Sequence, residues 1–299
     1  MENENNLDYL NIGEVEPGSG ISSSMLRILA CLFMLIDHIG YGIFEKLLVL
    51  TRDPDIFNKA LKIDRVLRIV GRLAFPIFCY QLVVGFFYTR SRKKYAIRLF
   101  IFSLISEIPF NLMARDAFFD FSYQNVGFTL LLGFLAIWAC EAAGEFCKKR
   151  MARHTYQSNY SSGDTEDSFN ADIRLLALKL LTIVPFMVMA EFLHTDYSSK
   201  GVLLIALIYL FFDDQLKMAC IAPSVFLAYY FIAHLVFEGN LDNAIYFTTN
   251  EMAMILSFIL ILKDNRKRNK STLFKVFGYS FYPVHMLIIF LVSLFVLPM

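Results

Sequence analysis

Blocks of about twenty consecutive apolar residues are the feature that most constrains this sequence. A helix needs roughly 20 such residues to cross a bilayer about 30 Å thick. Hydrophobic residues make up 57% of the 299-residue chain and charged residues 18%, a composition that excludes an ordinary soluble domain. We therefore predict an all-α integral membrane protein, a polytopic bundle of about nine (8–10) transmembrane helices. The apolar windows are 24–46, 69–89, 95–113, 126–143, 173–192, 200–212, 216–237, 244–262 and 273–297.

Basic residues in the short loops between these windows indicate which ends face the cytoplasm. Three loops are rich in lysine and arginine: 89–94, 147–153 and 263–270. Nine spans with a cytoplasmic N-terminus place all three loops on the cytoplasmic side. We therefore expect residues 1–23 to form a cytoplasmic tail of a multi-pass protein in a bacterial plasma membrane. This tail lacks the basic n-region of a cleaved signal peptide.

Two segments outside the apolar windows have distinct patterns. Segment 54–68 places apolar residues at helical spacing with basic residues between them, which predicts an interfacial amphipathic helix. Segment 154–170 is polar and predicts a flexible loop, so residues 24–299 are expected to form a single transmembrane domain. The net charge of +1 gives no support to a nucleic-acid partner. The five cysteines show no CxxC spacing, so no metal is expected.

Polar side chains lie within the apolar windows or at their ends, and an ionisable group costs about 3 kcal/mol at a helix centre on insertion scales. Such groups pair with one another or line a wet cavity. The topology brings eight of them to the outer side and leaves His285 nearer mid-depth. A structural network, with Arg72 paired to Asp37 or Glu107, and a polar substrate cavity both remain open. The residues are Asp37, His38, Arg72, Glu107, Asn111, Asn125, Asp196, Tyr197 and His285.

The chemistry that these residues offer is acid–base chemistry. Imidazole titrates near neutral pH, so His38 suits a general base, and a carboxylate from another span, Glu107 or Asp196, would fix its tautomer. Arg72 could hold an anionic group or a developing oxyanion. The sequence contains no HExxH, P-loop or GxGxxG motif, so zinc-protease and nucleotide-motor functions have no support.

Six stretches resemble the TraX family, membrane proteins associated with N-terminal acetylation of F-pilin in conjugation. They are IDHIGYGIF (36–44), LRIVGRLAFPIFCYQLVVGFFYTRSRKKY (67–95), RLFIFSLISEIPFNL (98–112), QNVGFTLLLG (124–133), HTDYSSKGVLLI (194–205) and FYPVHMLII (281–289). The resemblance implies a multi-span acetyltransferase with acetyl-CoA as donor, remotely related to the wider transmembrane acyltransferases that use a membrane-embedded histidine.

The resemblance also implies roles for individual residues. His38 would be the general base or a transient acetyl carrier, with Arg72, Glu107 and Asp196 as catalytic partners. A second group would bind substrate: Asp37, Asn111, Asn125, Tyr197 and His285, with His285 as a possible second relay position. The basic residues Arg90, Arg92 and Lys93 could meet the phosphates of coenzyme A, or serve only as topology determinants beside anionic lipid.

Three functional hypotheses follow. The first is an integral-membrane acyltransferase that moves an acetyl group from acetyl-CoA to an amine or hydroxyl of a peptide, glycan or lipid acceptor at the outer side of the membrane. The second is a polar-solute transporter or flippase without covalent chemistry. The third is a non-catalytic envelope assembly protein, in which the polar residues only pack. Membrane lipid is the expected surrounding partner in all three.

Overall fold

The protein is an α-helical bundle in the computed structural model, which describes residues 20–157, 165–267, 269 and 271–297. The helices are α1 Ser23–Ile39, α2 Glu45–Leu50, α3 Pro54–Gly71, α4 Ala74–Tyr88, α5 Arg92–Arg115, α6 Val126–Gln157, α7 Thr165–Phe192, α8 Ser198–Leu210, α9 Gln215–Glu238, α10 Leu241–Glu251, α11 Ile255–Leu262 and α12 Thr272–Val296. The predicted all-α class is therefore confirmed.

Eight helical segments in the described part of the chain are long and apolar enough to cross a membrane. They are Ser23–Leu50, Pro54–Tyr88, Arg92–Arg115, Val126–Cys147, Arg174–Phe192, Gln215–Val236, Leu241–Leu262 and Val276–Val296. The window predicted at 200–212 corresponds to α8, a shorter apolar helix of 13 residues. This agrees with the expected eight to ten spans and makes the chain a multi-pass membrane protein.

The bundle has two ends that differ in composition. At one end Ser23 donates a 2.8 Å hydrogen bond to Asp264, and residues 89–91 and 263–267 lie there; we call it the basic end. At the opposite end, the far end, Lys46 pairs with Asp116 at 2.5 Å. The basic loops that follow α4 and α11 therefore lie together at the end where α1 begins, on one side as the charge pattern predicts.

Helix α4 is the most enclosed helix. Ten of its 15 residues are buried, and it packs against α1, α6, α8 and α11. A helix that is apolar on all faces lies in a protein core or in a membrane, and here other helices cover most of it. Its buried side chains, including Tyr80 and Phe86, anchor the main hydrophobic core.

Two predicted segments differ from the structure. The amphipathic helix expected at 54–68 is present but continues to Gly71, and its last turns pack against α1. The prediction of a flexible loop over 154–170 is wrong at both ends of that range, because α6 continues to Gln157 and α7 begins at Thr165. A helix that is already nucleated extends into polar sequence at little cost. Segment 158–164 and the tail at 1–19 lie outside the described residues.

A wide helical turn follows His38 on α1. Over Gly40–Phe44 the backbone widens, and the amide of Glu45 bonds the carbonyl of Gly40, five residues back. Such single wide turns are often found at functional sites. This one lies just beyond the histidine, where the chain packs against α3.

Candidate functional site

Two histidines from distant parts of the chain form a hydrogen-bonded pair within the bundle. Nδ1 of His38 on α1 is 2.6 Å from Nε2 of His285 on α12, and the rings are nearly parallel, at 7°. Both are buried, with 9% and 4% of their surface exposed. Two imidazoles in direct contact can pass a proton between them.

The surroundings of His285 fix the tautomers of both neutral rings. Nδ1 of His285 is 2.6 Å from the carbonyl oxygen of Phe281, and a carbonyl oxygen only accepts, so Nδ1 carries the proton. Nε2 of His285 is then an acceptor, and Nδ1 of His38 must donate to it. The remaining nitrogen, Nε2 of His38, is left with a free lone pair. The pair therefore presents His38 as a base.

The expected carboxylate partner of His38 is absent among its hydrogen bonds in the described structure. His285 occupies that position, while Glu107 bonds Asn125 and Asp196 bonds Tyr123. Asp37, the carboxylate next to His38 in the sequence, points about 100° away from it on α1, so His38 finds its partner on another helix. Neither carboxylate can orient the His38 ring from where it lies.

Asp37 and Arg68 form one of two ion pairs at the far end, and it is half-buried, with side chains 17% and 23% exposed. Nη1 of Arg68 is 2.7 Å from Oδ2 of Asp37, and its Nε is 3.2 Å from Glu45. Asp37 is expected to pair with Arg72 or another cation, and its partner is Arg68, which lies one turn nearer on α3 than Arg72. A Cβ atom at Gly71 would lie 2.3 Å from Cβ of Asp37, so only glycine allows α1 and α3 to approach this closely.

Arg72 belongs to the second ion pair. Its Nε is 3.0 Å from Oε1 of Glu251, whose side chain is only 4% exposed, and its Nη1 donates to the Tyr197 hydroxyl at 3.5 Å. The Tyr197 ring in turn stacks on Phe75 with centroids 3.7 Å apart. The charge of Arg72 is therefore already balanced, which limits its use as an oxyanion-binding group.

Asp196 lies in a strained loop between α7 and α8. Two backbone hydrogen bonds join this loop to Gln124: the Gln124 amide donates to the carbonyl of His194, and the Asp196 amide donates to the carbonyl of Gln124. His194 and Tyr197 adopt left-handed backbone conformations, with φ of 49° and 61°, which non-glycine residues rarely adopt and which cluster at functional sites.

Burial governs the protonation of this loop. Desolvation raises the pKa of Asp196, and the Tyr123 hydroxyl, which donates to its Oδ1 at 2.7 Å, opposes that rise. Desolvation together with the nearby Asp196 carboxylate raises the pKa of Tyr123. Tyr123 therefore remains protonated and acts as a permanent donor to Asp196.

Glu107, Asn111 and Asn125 form a third polar group at the far end. The amide of Asn125 donates to Oε2 of Glu107 and also to the carbonyl of Ser103, at 2.9 Å. Asn125 also accepts from the backbone of Gly127 and so caps the start of α6. Oε1 of Glu107 and Oδ1 of Asn111 are buried and lack hydrogen-bond partners among the described residues, so they are acceptors available to a donor group.

The three basic residues expected at the cofactor phosphates differ in their surroundings. Arg92 pairs with Glu141, its Nη2 2.8 Å from Oε1, and it stacks over Phe86. An arginine held in this way is not available to a phosphate. Arg90 and Lys93 are exposed at the basic end.

Sequence reasoning missed two partners in the ion pairs. Glu251 is a lone carboxylate inside the apolar window 244–262. A carboxylate inside an apolar window is the same signal that identified Asp37, so Glu251 was predictable. The amphipathic pattern of 54–68 places Arg68 on the polar surface of the helix. Only the packing of α3 on α1 shows that Arg68 faces Asp37.

Comparison with known proteins agrees with the family resemblance. A family model described as "TraX protein" matches residues 22–293. A curated relative, "Probable fimbrial assembly protein FimC, serogroup H1" from Dichelobacter nodosus, is 32% identical over 123 residues, which is 39% of this chain and 45% of the relative. The chain thus spans less than half the length of that relative. No solved structure matches.

Proposed function

Because the chain belongs to the TraX family, we propose that it is an integral-membrane acetyltransferase. It moves an acetyl group from acetyl-CoA to an amine or hydroxyl acceptor at the far end of the bundle. The observation that carries this proposal is the buried His38–His285 pair. Ionisable side chains are costly to place inside a membrane, so a buried pair of them indicates a functional site.

His38 acts as general base in this scheme. Its Nε2 takes the proton from the acceptor nitrogen or oxygen as that atom attacks the thioester carbonyl. The tetrahedral intermediate then collapses, the carbon–sulfur bond breaks, and the coenzyme A thiolate leaves. The proton passes from His38 to the thiolate, so the products are the acetylated acceptor and free coenzyme A. His285 is a positioning residue that keeps Nε2 of His38 unprotonated before the attack.

The far end supplies groups for an acceptor. The unpartnered oxygens of Glu107 and Asn111 suit a hydrogen-bond donor such as an amine or hydroxyl. The name of the Dichelobacter nodosus relative favours a fimbrial subunit peptide as acceptor, ahead of a glycan or lipid. The positive-inside rule favours a cytoplasmic basic end, and with it a cytoplasmic N-terminus in a plasma membrane.

Transfer of labelled acetyl groups by the purified chain tests this proposal. The protein, in lipid nanodiscs, is mixed with acetyl-CoA and a panel of peptide, glycan and lipid acceptors. We expect His38→Ala to lower transfer by about 10²–10⁴-fold, and His285→Ala to lower it less while shifting its pH profile. His234→Asn is the matched control, because His234 is an imidazole on α9 that packs against Tyr230 and Phe247 and should leave transfer unchanged.

Two results would contradict the proposed chemistry. Full transfer by His38→Ala would remove the base from the scheme. Release of one equivalent of coenzyme A from acetyl-CoA in the absence of any acceptor, lost in His38→Ala, would show that His38 is a covalent carrier instead of a base.

A non-catalytic role in fimbrial assembly is the second candidate. The two ion pairs, Asp37–Arg68 and Arg72–Glu251, satisfy much of the far-end polarity without any ligand. Under this alternative, no acceptor is acetylated and His38→Ala leaves fimbrial assembly in cells intact.

A further inference from the structure

A cleft runs from the basic end into the bundle. It consists of two adjoining cavities of about 340 and 140 Å³, which share the lining residues Arg27, Gln81, Tyr95 and Tyr279. Helices α1, α4, α5 and α12 each contribute to its walls. The outer cavity opens beside the loops of the basic end, and the inner cavity extends away from them.

The inner cavity ends next to the histidine pair. Tyr282 lines it, and the ring of Tyr282 lies 5.8 Å, between centroids, from both His38 and His285. On α1, Arg27 precedes His38 by eleven residues, about 16 Å of helix and about 20° of rotation. Arg27 and His38 therefore lie on one face of α1, with Cys31 and Met34 lining the cleft between them.

The chemistry of the walls changes along the cleft. The outer cavity is lined by polar and basic side chains, among them Arg98, Thr89 and Asn269. The inner cavity is lined largely by apolar and aromatic side chains, such as Phe78 and Phe102. A ligand that fits both parts carries negative charge at one end and a narrow, weakly polar arm at the other.

Arg27 has an uncompensated charge in this cleft. Its Nε donates to the neutral amide oxygen of Gln81 at 3.0 Å, and its guanidinium lies 5.7 Å from the Phe274 ring centroid. In the described part of the chain neither Arg27 nor Arg98 belongs to an ion pair. Arg27 is half-buried and Arg98 is exposed, and arginines without a carboxylate partner are well suited to bind phosphate in a bidentate manner.

We propose that this cleft binds the acetyl donor, with the phosphates of coenzyme A at Arg27 and Arg98 and the pantetheine arm extending to Tyr282. An extended pantetheine arm is comparable in length to the stretch of α1 from Arg27 to His38. The assignment rests on the proposed acetyl transfer for the identity of its ligand. It moves the donor site from Arg90, Arg92 and Lys93 into the bundle.

Equilibrium dialysis of labelled coenzyme A against the full chain, in nanodiscs of zwitterionic lipid, tests the assignment. We expect Arg27→Gln to weaken binding by at least about tenfold. Gln81→Glu, which gives Arg27 a carboxylate partner, weakens it in the same direction without removing the arginine. Pantetheine, which has no phosphate, binds the wild type weakly and does not respond to Arg27→Gln. Lys217→Gln is the control, since Lys217 is an exposed basic residue paired with Asp214.

Several results would overturn the assignment. Unchanged binding in both Arg27→Gln and Gln81→Glu is one, and loss of binding in Arg90→Gln or Lys93→Gln alone is another. Displacement of coenzyme A by phosphatidylglycerol, with no reverse displacement, would identify the occupant as a lipid.

The binding site and the transfer reaction can fail separately. His38→Ala should bind coenzyme A as the wild type does, because His38 lies beyond the phosphate-binding residues. If coenzyme A binds through Arg27 and no acceptor is acetylated, transfer is refuted and the cleft remains a binding site. If acetyl transfer proceeds with an unchanged KM in Arg27→Gln, the cleft assignment is refuted alone.

Discussion

Replacement of Glu251 by glutamine should destabilise the bundle strongly. Nε of Arg72 lies 3.0 Å from Oε1 of Glu251, and at this separation the gross attraction is about 5–6 kcal/mol for an effective dielectric constant of 20. Glutamine keeps the shape and removes the charge. It also removes the desolvation cost of the carboxylate, so the net loss is smaller than the gross attraction. We expect a loss of about 3 kcal/mol in the free energy of unfolding, within the range for breaking a buried pair.

The measurement is reversible unfolding in mixed micelles with increasing dodecyl sulfate, followed by circular dichroism. A double-mutant cycle with Arg72→Met isolates the pair, with an expected coupling energy of about 2–3 kcal/mol. Asp214→Asn is the control, because Asp214 pairs with Lys217 at the surface and should cost less than about 1 kcal/mol. A loss below about 1 kcal/mol for Glu251→Gln, or additive effects in the cycle, would refute the reasoning.

Two further predictions concern the far end. Burial raises the pKa of Asp196, so the native state keeps this proton to higher pH than the unfolded chain, and stability falls as pH rises through that interval. Tyr123→Phe raises this pKa further, and we expect it to cost about 1.5–3 kcal/mol at pH 7 and less at pH 4, in unfolding titrations at both values; an equal cost at both would contradict the charged hydrogen bond. Gly71→Ala places a Cβ 2.3 Å from Asp37 and should cost about 1–3 kcal/mol in the same titration. Gly144→Ala, which meets only the flexible end of Lys179, should cost nothing, and equal costs for the two glycines would argue against a tight α1–α3 contact.

Much of the fold could be predicted from local sequence. A membrane-spanning helix satisfies its own backbone hydrogen bonds, so the apolar windows located the helices without knowledge of their neighbours. The errors lie where hydropathy stops being informative. Helices α6 and α7 continue past the apolar windows into polar sequence, and α3 continues to Gly71.

The site was predictable as a set of residues but not as a set of contacts. Insertion cost alone identified His38, Arg72 and His285 as residues that need partners. Which partner each one finds depends on helix rotation and packing, which hydropathy does not encode. Arg72 therefore pairs with Glu251, which the sequence did not single out. His38 bonds His285, which the sequence placed nearer mid-depth.

Arg27, the residue proposed to bind the donor, has a recognisable position in the sequence. It stands inside the first apolar window, on the same helical face as His38, and the spacing of eleven residues could have been read directly. The three loop residues, Arg90, Arg92 and Lys93, drew attention instead because basic loops also determine topology. If Arg27 binds the donor as proposed, position on a helix face is the better guide to that site than density of charge.

The hydrogen bond from His285 to the carbonyl of Phe281 has an evolutionary consequence. If three side chains formed this hydrogen-bonded chain, a substitution at any of the three positions could break it. Here the third member is main chain, which every amino acid supplies in a helix. Any residue at position 281 can therefore keep this hydrogen bond so long as the helix persists, and only the stacking of the Phe281 ring on His285 depends on the side chain there.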